Sequence, residues 1–207
     1  MVHLFAYGKD NQGGVVDTLS VLKNSLAISH EMVSKVVLPG DTVIDATAGN
    51  GNDTVFLASL VGENGKVYAF DIQEQAINNT YKKVIDRDYQ DRVKIIKDGH
   101  QNLDLYVKDK VKVVMFNLGY LPGGDHSIAT RVETTAEALG KAMELLAVNG
   151  IISIVVYYGG DSGFDEKNAL MDYFPTINCS KFTVMKTEFI NQINCPPIFV
   201  CIEKISL

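Results

Sequence analysis

The stretch Val43-Ile44-Asp45-Ala46-Thr47-Ala48-Gly49-Asn50-Gly51-Asn52-Asp53-Thr54 decides the fold. An apolar β-type run ends in an acid and passes directly into a glycine-rich turn that opens a helix. Gly49 and Gly51 can take backbone angles closed to other residues and let a ligand approach the main chain, while the helix start presents unpaired N–H groups. A nucleotide-type cofactor is therefore expected. Spacing selects among cofactors. A dinucleotide site needs GxGxxG, whose glycines serve the pyrophosphate and close helix packing. Here the third glycine is missing, and Asp53 stands where a phosphate would be repelled. S-adenosylmethionine fits better, because it has no phosphate and carries a sulfonium and an ammonium that Asp45 or Asp53 can meet. Two other roles stay open: Asp53 complementing the helix dipole, and Asp45 tying down the turn.

A second acid strengthens the reading. After the turn Gly62-Glu63-Asn64-Gly65, residues 66–70 read as another buried strand ending in Asp71. An acid about 20 residues beyond the glycine turn is placed to accept both ribose hydroxyls.

The chain has 207 residues and is 46% hydrophobic, enough for a sizeable core without staples. Residues 1–21 are glycine-containing and weakly patterned, an expected irregular arm, and 22–207 read as a single domain. Cys179, Cys195 and Cys201 form no CxxC pair and leave an odd thiol, which suits reduced cysteines in the cytoplasm. His3, His30, His100 and His126 are scattered, so no metal is expected. No apolar run approaches the roughly twenty residues of a membrane span. A net charge of −6 argues against a general nucleic-acid coat. It leaves room for a local basic face, with Lys82, Lys83, Arg87, Arg92, Lys94 and Lys97 either forming one or merely solvating a surface.

Leu22, Leu26, His30, Val33 and Val37 recur at helical spacing before Pro39-Gly40. His30 falls on that stripe near the glycine turn, either as a cofactor residue or as a satisfied core histidine. Strands and helices then alternate, implying a parallel sheet. Thr134-Thr135-Ala136-Glu137 resembles a capping box starting a helix to about Val148, which Asn149-Gly150 closes before a strand at 151–157. The last strand-like runs, 182–190 and 198–202, are joined by a link too short for a crossover helix and must pair antiparallel. The expected fold is α/β: a Rossmann-like, seven-stranded, mostly parallel sheet with an antiparallel C-terminal hairpin and helices on both faces, the class I methyltransferase layout.

In such sheets ligands bind beyond the C-terminal strand ends, where the two halves meet. The fourth strand runs out there into Asn117-Leu118-Gly119-Tyr120-Leu121-Pro122-Gly123-Gly124-Asp125-His126. Asn117-x-x-Tyr120 has the spacing of the NPPY-type motif of nitrogen methyltransferases, with Leu118 and Gly119 in place of both prolines. That chemistry needs an acceptor such as Asn117 Oδ1 to hold an amine N–H and aim its lone pair, while Tyr120 stacks on the base. An alkyl amine is largely protonated at neutral pH and must lose a proton first, for which Asp125 and His126 are the nearest candidates.

Taken together, DATAGNGNDT at 45–54, FDIQ at 70–73, Asp98-Gly99-His100, the 117–126 stretch and NQINCPP at 191–197 resemble the YtqB-like family of rRNA methylases, over essentially residue 22 onward. The resemblance implies S-adenosylmethionine as methyl donor and an RNA substrate. It implicates Asp45, Thr47, Gly49, Asn50, Gly51, Asp53 and Thr54 at the methionine end, with Asp71 and Gln73 on the ribose and adenine side. Asp98, Gly99 and His100 follow the third strand, where adenine is usually gripped or where a plain surface turn would also fit. Members resembling this chain methylate the aminomethyl nitrogen of 5-aminomethyl-2-thiouridine at the tRNA wobble position. In the family, the loop matching Tyr157-Tyr158-Gly159-Gly160-Asp161 often carries a histidine, absent here. Rival expectations are an rRNA base N-methyltransferase, a noncatalytic adenosyl-ligand or RNA-binding module, and an NAD-dependent oxidoreductase. The partner is expected to be tRNA, with no membrane; oligomeric state is open, a homodimer included.

Overall fold

The computed structural model describes residues 8–9, 15–16, 22–119, 121, 123, 129–159 and 163–207. Gly8–Lys9 and Val15–Val16 pair antiparallel, so part of the arm is a short ribbon; the rest of residues 1–21 lies outside the described residues. The main sheet has seven strands: β1 (Thr42–Asp45), β2 (Lys66–Asp71), β3 (Val93–Lys97), β4 (Val111–Leu118), β5 (Leu146–Val156), β6 (Phe182–Thr187) and β7 (Ile198–Lys204). Their order is β3-β2-β1-β4-β5-β7-β6. The first five run parallel, and β7 lies antiparallel between β5 and β6. The expected architecture is therefore the observed one. Among the described residues, no helix is long and apolar enough to cross a membrane.

Strand parity builds two cores. Helices cover both faces of the sheet, so the central strands are apolar on both sides. Val43, Val113, Met115 and Phe199 point toward Val33 of α1 (Ser25–Val36) and Leu57, Ala58 and Val61 of α2 (Asn52–Val61). Ile44, Val114, Phe116 and Ile154 point the other way. They meet Leu103 of α4 (Leu103–Tyr106), Leu139 of α5 (Val132–Leu145) and Leu170 of α6 (Gly163–Tyr173). The same alternation sends Asp45 and Asn117 toward α1 and α2. A residue two places beyond Met115 thus reaches the start of α2 and not α5.

Small residues bring α1 close to the sheet. The face it buries is Ser25, Ser29 and Val33, and the Ser29 hydroxyl bonds that of Ser153 at 2.6 Å. Leu22 precedes the helix and is exposed, so it drops out of the expected stripe, while Val33 and Val37 are buried, Leu26 packs against the core and the serines share the buried face. Asn24 caps α1 by accepting the Ala27 N–H at 2.8 Å. The start of α2 packs on α3 (Glu74–Asp86) through Gly51 and Thr80.

Three boundaries differ from expectation. α5 starts at Val132, so Thr134 is no cap: its hydroxyl donates to the Arg131 carbonyl at 3.1 Å. α5 ends at Leu145, and Leu146 already pairs with Val111. The run Leu145 to Val148 suits either element, and pairing with β4 wins. Asn149 then takes φ +60 inside β5, and a Cβ on Gly150 would lie 2.8 Å from the Lys112 carbonyl oxygen. β6 stops at Thr187, leaving Ile190 in the connection, 95% exposed.

Gly51 is doubly required: its φ is +77, and a Cβ there would meet Thr80 Cα at 2.8 Å. Gly51→Ala should therefore lose about 2–4 kcal/mol, the sum of left-handed strain and overpacking. Gly40, at φ +96 with nothing within 4 Å of a built Cβ, should lose only about 1 kcal/mol on substitution by Ala. Urea unfolding of both variants measures the difference.

Candidate active site

A cavity of about 810 Å³ opens over the C-terminal ends of β1, β2, β4 and β5. Its walls include the turn after β1, the Asp71–Gln73 strand end, Asp98–Gln101, Asn117, and Tyr157 with Tyr158 beyond β5. The size suits one small organic ligand with room for part of a second.

The turn is built from behind. Asp45, fully buried, accepts the Thr47 N–H at 3.2 Å and the Thr54 hydroxyl at 2.6 Å. Asp45, Gly51 and Thr54 lie behind the cavity wall, whereas Thr47, Gly49, Asn50 and Asp53 form it. Burial, reinforced by the neighbouring Asp53 carboxylate, pushes the Asp45 pKa up to about 7. Asp71 braces the turn from β2: one oxygen accepts the Gly49 N–H at 2.9 Å, the other the Gln73 N–H at 2.9 Å. Asn79 donates to the Asn50 side-chain oxygen at 2.8 Å.

Asp53, 6% exposed in the first turn of α2, joins two other elements. His30 Nε2 lies 2.6 Å from Oδ1, and Asn117 Nδ2 donates to Oδ2. The His30 ring stacks on Phe56 with centroids 4.0 Å apart and planes 12° from parallel. Asn117 is the penultimate residue of β4, and its backbone N–H donates to Thr47 Oγ1 at 2.7 Å. Asn117 Oδ1 is buried and has no partner among the described residues.

On the opposite side of the sheet, His100 Nδ1 faces the Ala46 carbonyl at 3.2 Å. A carbonyl only accepts, so Nδ1 carries the hydrogen and Nε2 is left an acceptor. That Nε2 is buried without a partner among the described residues. Burial lowers the His100 pKa and keeps the ring neutral, edge-on to Phe116 at 5.7 Å. Asp98 shapes its own turn, accepting from Asn102 at 2.9 Å, Tyr106 at 2.8 Å and the Gly99 N–H at 2.7 Å. Those bonds, the Asn102 amide foremost, hold its carboxyl below the usual range.

Beyond β4, Gly119 and Thr130 are tied together. The Thr130 N–H donates to the Gly119 carbonyl at 3.0 Å, and the Gly119 N–H donates to Thr130 Oγ1 at 3.0 Å. Buried Glu166 accepts the hydroxyls of Thr130 at 2.6 Å and Thr135 at 2.8 Å. Tyr120, Asp125 and His126 lie outside the described residues.

Sequence reasoning missed Thr130 and Arg131, which line the cavity, and gave no role to Asn194, Cys195 and Pro197, which also do. Arg131 is an exposed cation at its edge. Nothing local marks it; only the fold brings residue 131 back to the site. Of the basic face, Lys83 bonds Asn52, Lys97 pairs with Glu74 at 2.5 Å, Arg92 lies over Tyr89 and Lys94 over Tyr68. Among the described residues, no group of three or more His, Cys, Asp or Glu is placed to hold a metal ion.

A family model described as "Putative rRNA methylase" matches residues 67–203. The chloroplastic tRNA (mnm(5)s(2)U34)-methyltransferase of Arabidopsis thaliana is 36% identical over 184 residues, 84% of this chain and 67% of its own. Among solved structures, a "putative rRNA-methylase" from Clostridium thermocellum is 62% identical with a TM-score of 0.89, covering 90% of this chain and 100% of that one. A "putative methyltransferase" from Streptococcus mutans, solved in complex with SAH, is 42% identical with a TM-score of 0.82, over 89% of this chain and 100% of that one.

The Asp45 pKa of about 7 lies above the ordinary 3.8, so the folded chain holds this proton more tightly than the unfolded chain. Its stabilising contribution is full below about pH 4 and is lost as pH rises to about 7. Asp45→Asn should remove that slope: relative to wild type, the variant gains stability across this window and the difference levels off above it. Urea unfolding over a pH series checks this, and parallel curves would exclude it.

Proposed function

The chain belongs to the "Putative rRNA methylase" family, and from that premise we propose that it methylates the aminomethyl nitrogen of 5-aminomethyl-2-thiouridine at the tRNA wobble position. It is an S-adenosylmethionine-dependent methyltransferase. The tRNA reading draws on the Arabidopsis relative. The observation that carries it here is the buried, unpartnered Asn117 Oδ1 on the cavity wall, an acceptor waiting for an N–H.

The residues present fit the cofactor. Gly49 brings bare backbone to the cavity wall, Asp71 ends β2 with acceptor oxygens, and His100 Nε2 is a buried acceptor with no partner among the described residues. S-adenosylmethionine supplies a methyl group on an already activated sulfonium, so the protein has mainly to position and desolvate. In our reading Thr47, Gly49, Asn50, Asp71, Gln73, Asp98, Gly99 and His100 hold it, while Asp45, Gly51 and Thr54 shape the turn from behind. Asn117 Oδ1 accepts one N–H of the neutral amine and turns its lone pair toward the methyl. Arg131 at the edge is placed for a phosphate. The amine must shed a proton before attack, and Asp125 and His126 are the proposed acceptors.

The family description favours a second reading, methylation of a base nitrogen in rRNA, which would use the same Asn117. Nucleoside mass spectrometry of tRNA and rRNA from a deletion strain decides between them: an unmethylated aminomethyl-thiouridine in tRNA supports the first, a missing rRNA methyl the second.

Two substitutions probe the halves of the site. Asn117→Ala should lower kcat by about 100-fold while tRNA affinity changes far less, because a misplaced amine loses attack geometry but phosphate contacts persist. Steady-state methyl incorporation measures this, and near wild-type kcat would remove Asn117 from the site. Asp71→Ala should weaken cofactor binding by about 10-fold or more, as ribose bonds and the brace on Gly49 are lost together. Titration calorimetry on the folded variant reads that loss.

A further inference from the structure

His30 lies on α1, away from the cavity wall, and its stacking on Phe56 would by itself mark a packed aromatic. Its contact with Asp53 gives it another meaning. The carboxylate accepts and does not donate, so the Asn117 amide must turn its NH₂ group toward Asp53 Oδ2. The carbonyl Oδ1 is thereby left as the atom without a partner among the described residues. The Asn117 backbone is already fixed, since its N–H donates to Thr47 Oγ1. Only the side-chain amide retains a choice, and the two ends of that choice have opposite polarity. One presents an acceptor to the site; the other presents a donor, which would repel an amine N–H.

What holds Asp53 in place to dictate that choice is the His30 N–H on its other oxygen, 2.6 Å away. Without it, Asp53 keeps one partner among the described residues and its side chain is free to change rotamer. We propose that His30 is a positioning residue for methyl transfer: through Asp53 it fixes the orientation of the Asn117 amide, so that the carbonyl oxygen meets the acceptor amine. The inference rests on the reading that Asn117 receives that amine. It assigns His30 no contact with cofactor or substrate.

The test separates the hydrogen bond from the packing. His30→Phe keeps an aromatic ring on Phe56 and removes the N–H. His30→Gln returns an N–H donor at a similar reach. The assay is methyl incorporation from labelled S-adenosylmethionine into bulk RNA of a deletion strain, with tRNA and rRNA then separated. Methylation of rRNA alone would therefore overturn the wobble reading and still report on His30. His30→Phe should lower kcat by about 10-fold with KM for RNA and S-adenosylmethionine within about twofold, and His30→Gln should recover most of the loss. In an Asn117→Ala background His30→Phe should cost nothing further, because both act on one amide. Should His30→Phe fail to fold, Asp53→Asn carries the same expectation, since it keeps the shape and lets the Asn117 amide turn over. Wild-type kcat in the folded variant, a loss confined to the KM for S-adenosylmethionine, or an undiminished loss in the Asn117→Ala background would each overturn the proposal.

Discussion

The structure depends on one buried carboxyl. Asp45 closes β1 and holds the turn through the Thr47 N–H and α2 through the Thr54 hydroxyl. Strand, turn and helix are thereby locked before any ligand arrives. Everything on the cavity floor inherits its position from that lock: Thr47 splices β1 to β4 through the Asn117 N–H, and Gly49 meets Asp71 across to β2. A group taken wholly out of water must be satisfied or neutral, and Asp45 is satisfied by two donors and shifted toward neutrality.

Three acids, Asp45, Asp53 and Asp71, thus gather around one turn, and among the described residues no lysine or arginine hydrogen-bonds any of them. Their partners are backbone amides, a hydroxyl, an imidazole and a carboxamide. Through Asp53 and Asp71, which line the cavity, such a floor keeps a negative potential directed into it, while Asp45 behind the wall is shifted toward neutrality. A cationic ligand gains from it, and a pyrophosphate would be repelled. The charge logic that Asp53 suggested in the sequence is therefore repeated in three dimensions.

Much of this was legible in the chain because it is local. A strand ending in an acid, a glycine turn and a helix start are encoded within twelve consecutive residues, and the acid ending β2 follows at a fixed interval. Asn117 was legible too, as the point where a buried run turns polar. What escaped was tertiary. The His30 to Asp53 bond spans α1 to α2, and no spacing rule predicts it; strand parity alone would have sent Asn117 toward the same helices. Arg131 and Thr130 enter the site because the chain folds back after β4. The boundary between α5 and β5 was misplaced because Leu146-Ala147-Val148 has no period of its own, and pairing with β4 decides its state. Thr134 looked like a cap by motif, but Arg131 had already begun the helix.

The clamp of Gly119 on Thr130, seated on Glu166, has an evolutionary side. Gly119 and Thr130 are fastened side by side, and between them buried Leu121 is seated over Gly49. Closing a longer chain between two fixed ends costs little in general, about 0.6 kcal/mol for each doubling of its length. Relatives could therefore differ in length beyond Leu121, which is buried over Gly49, without disturbing the turn after β1. On this scaffold, change of length beyond Leu121 and constancy of the turn after β1 are mechanically separable.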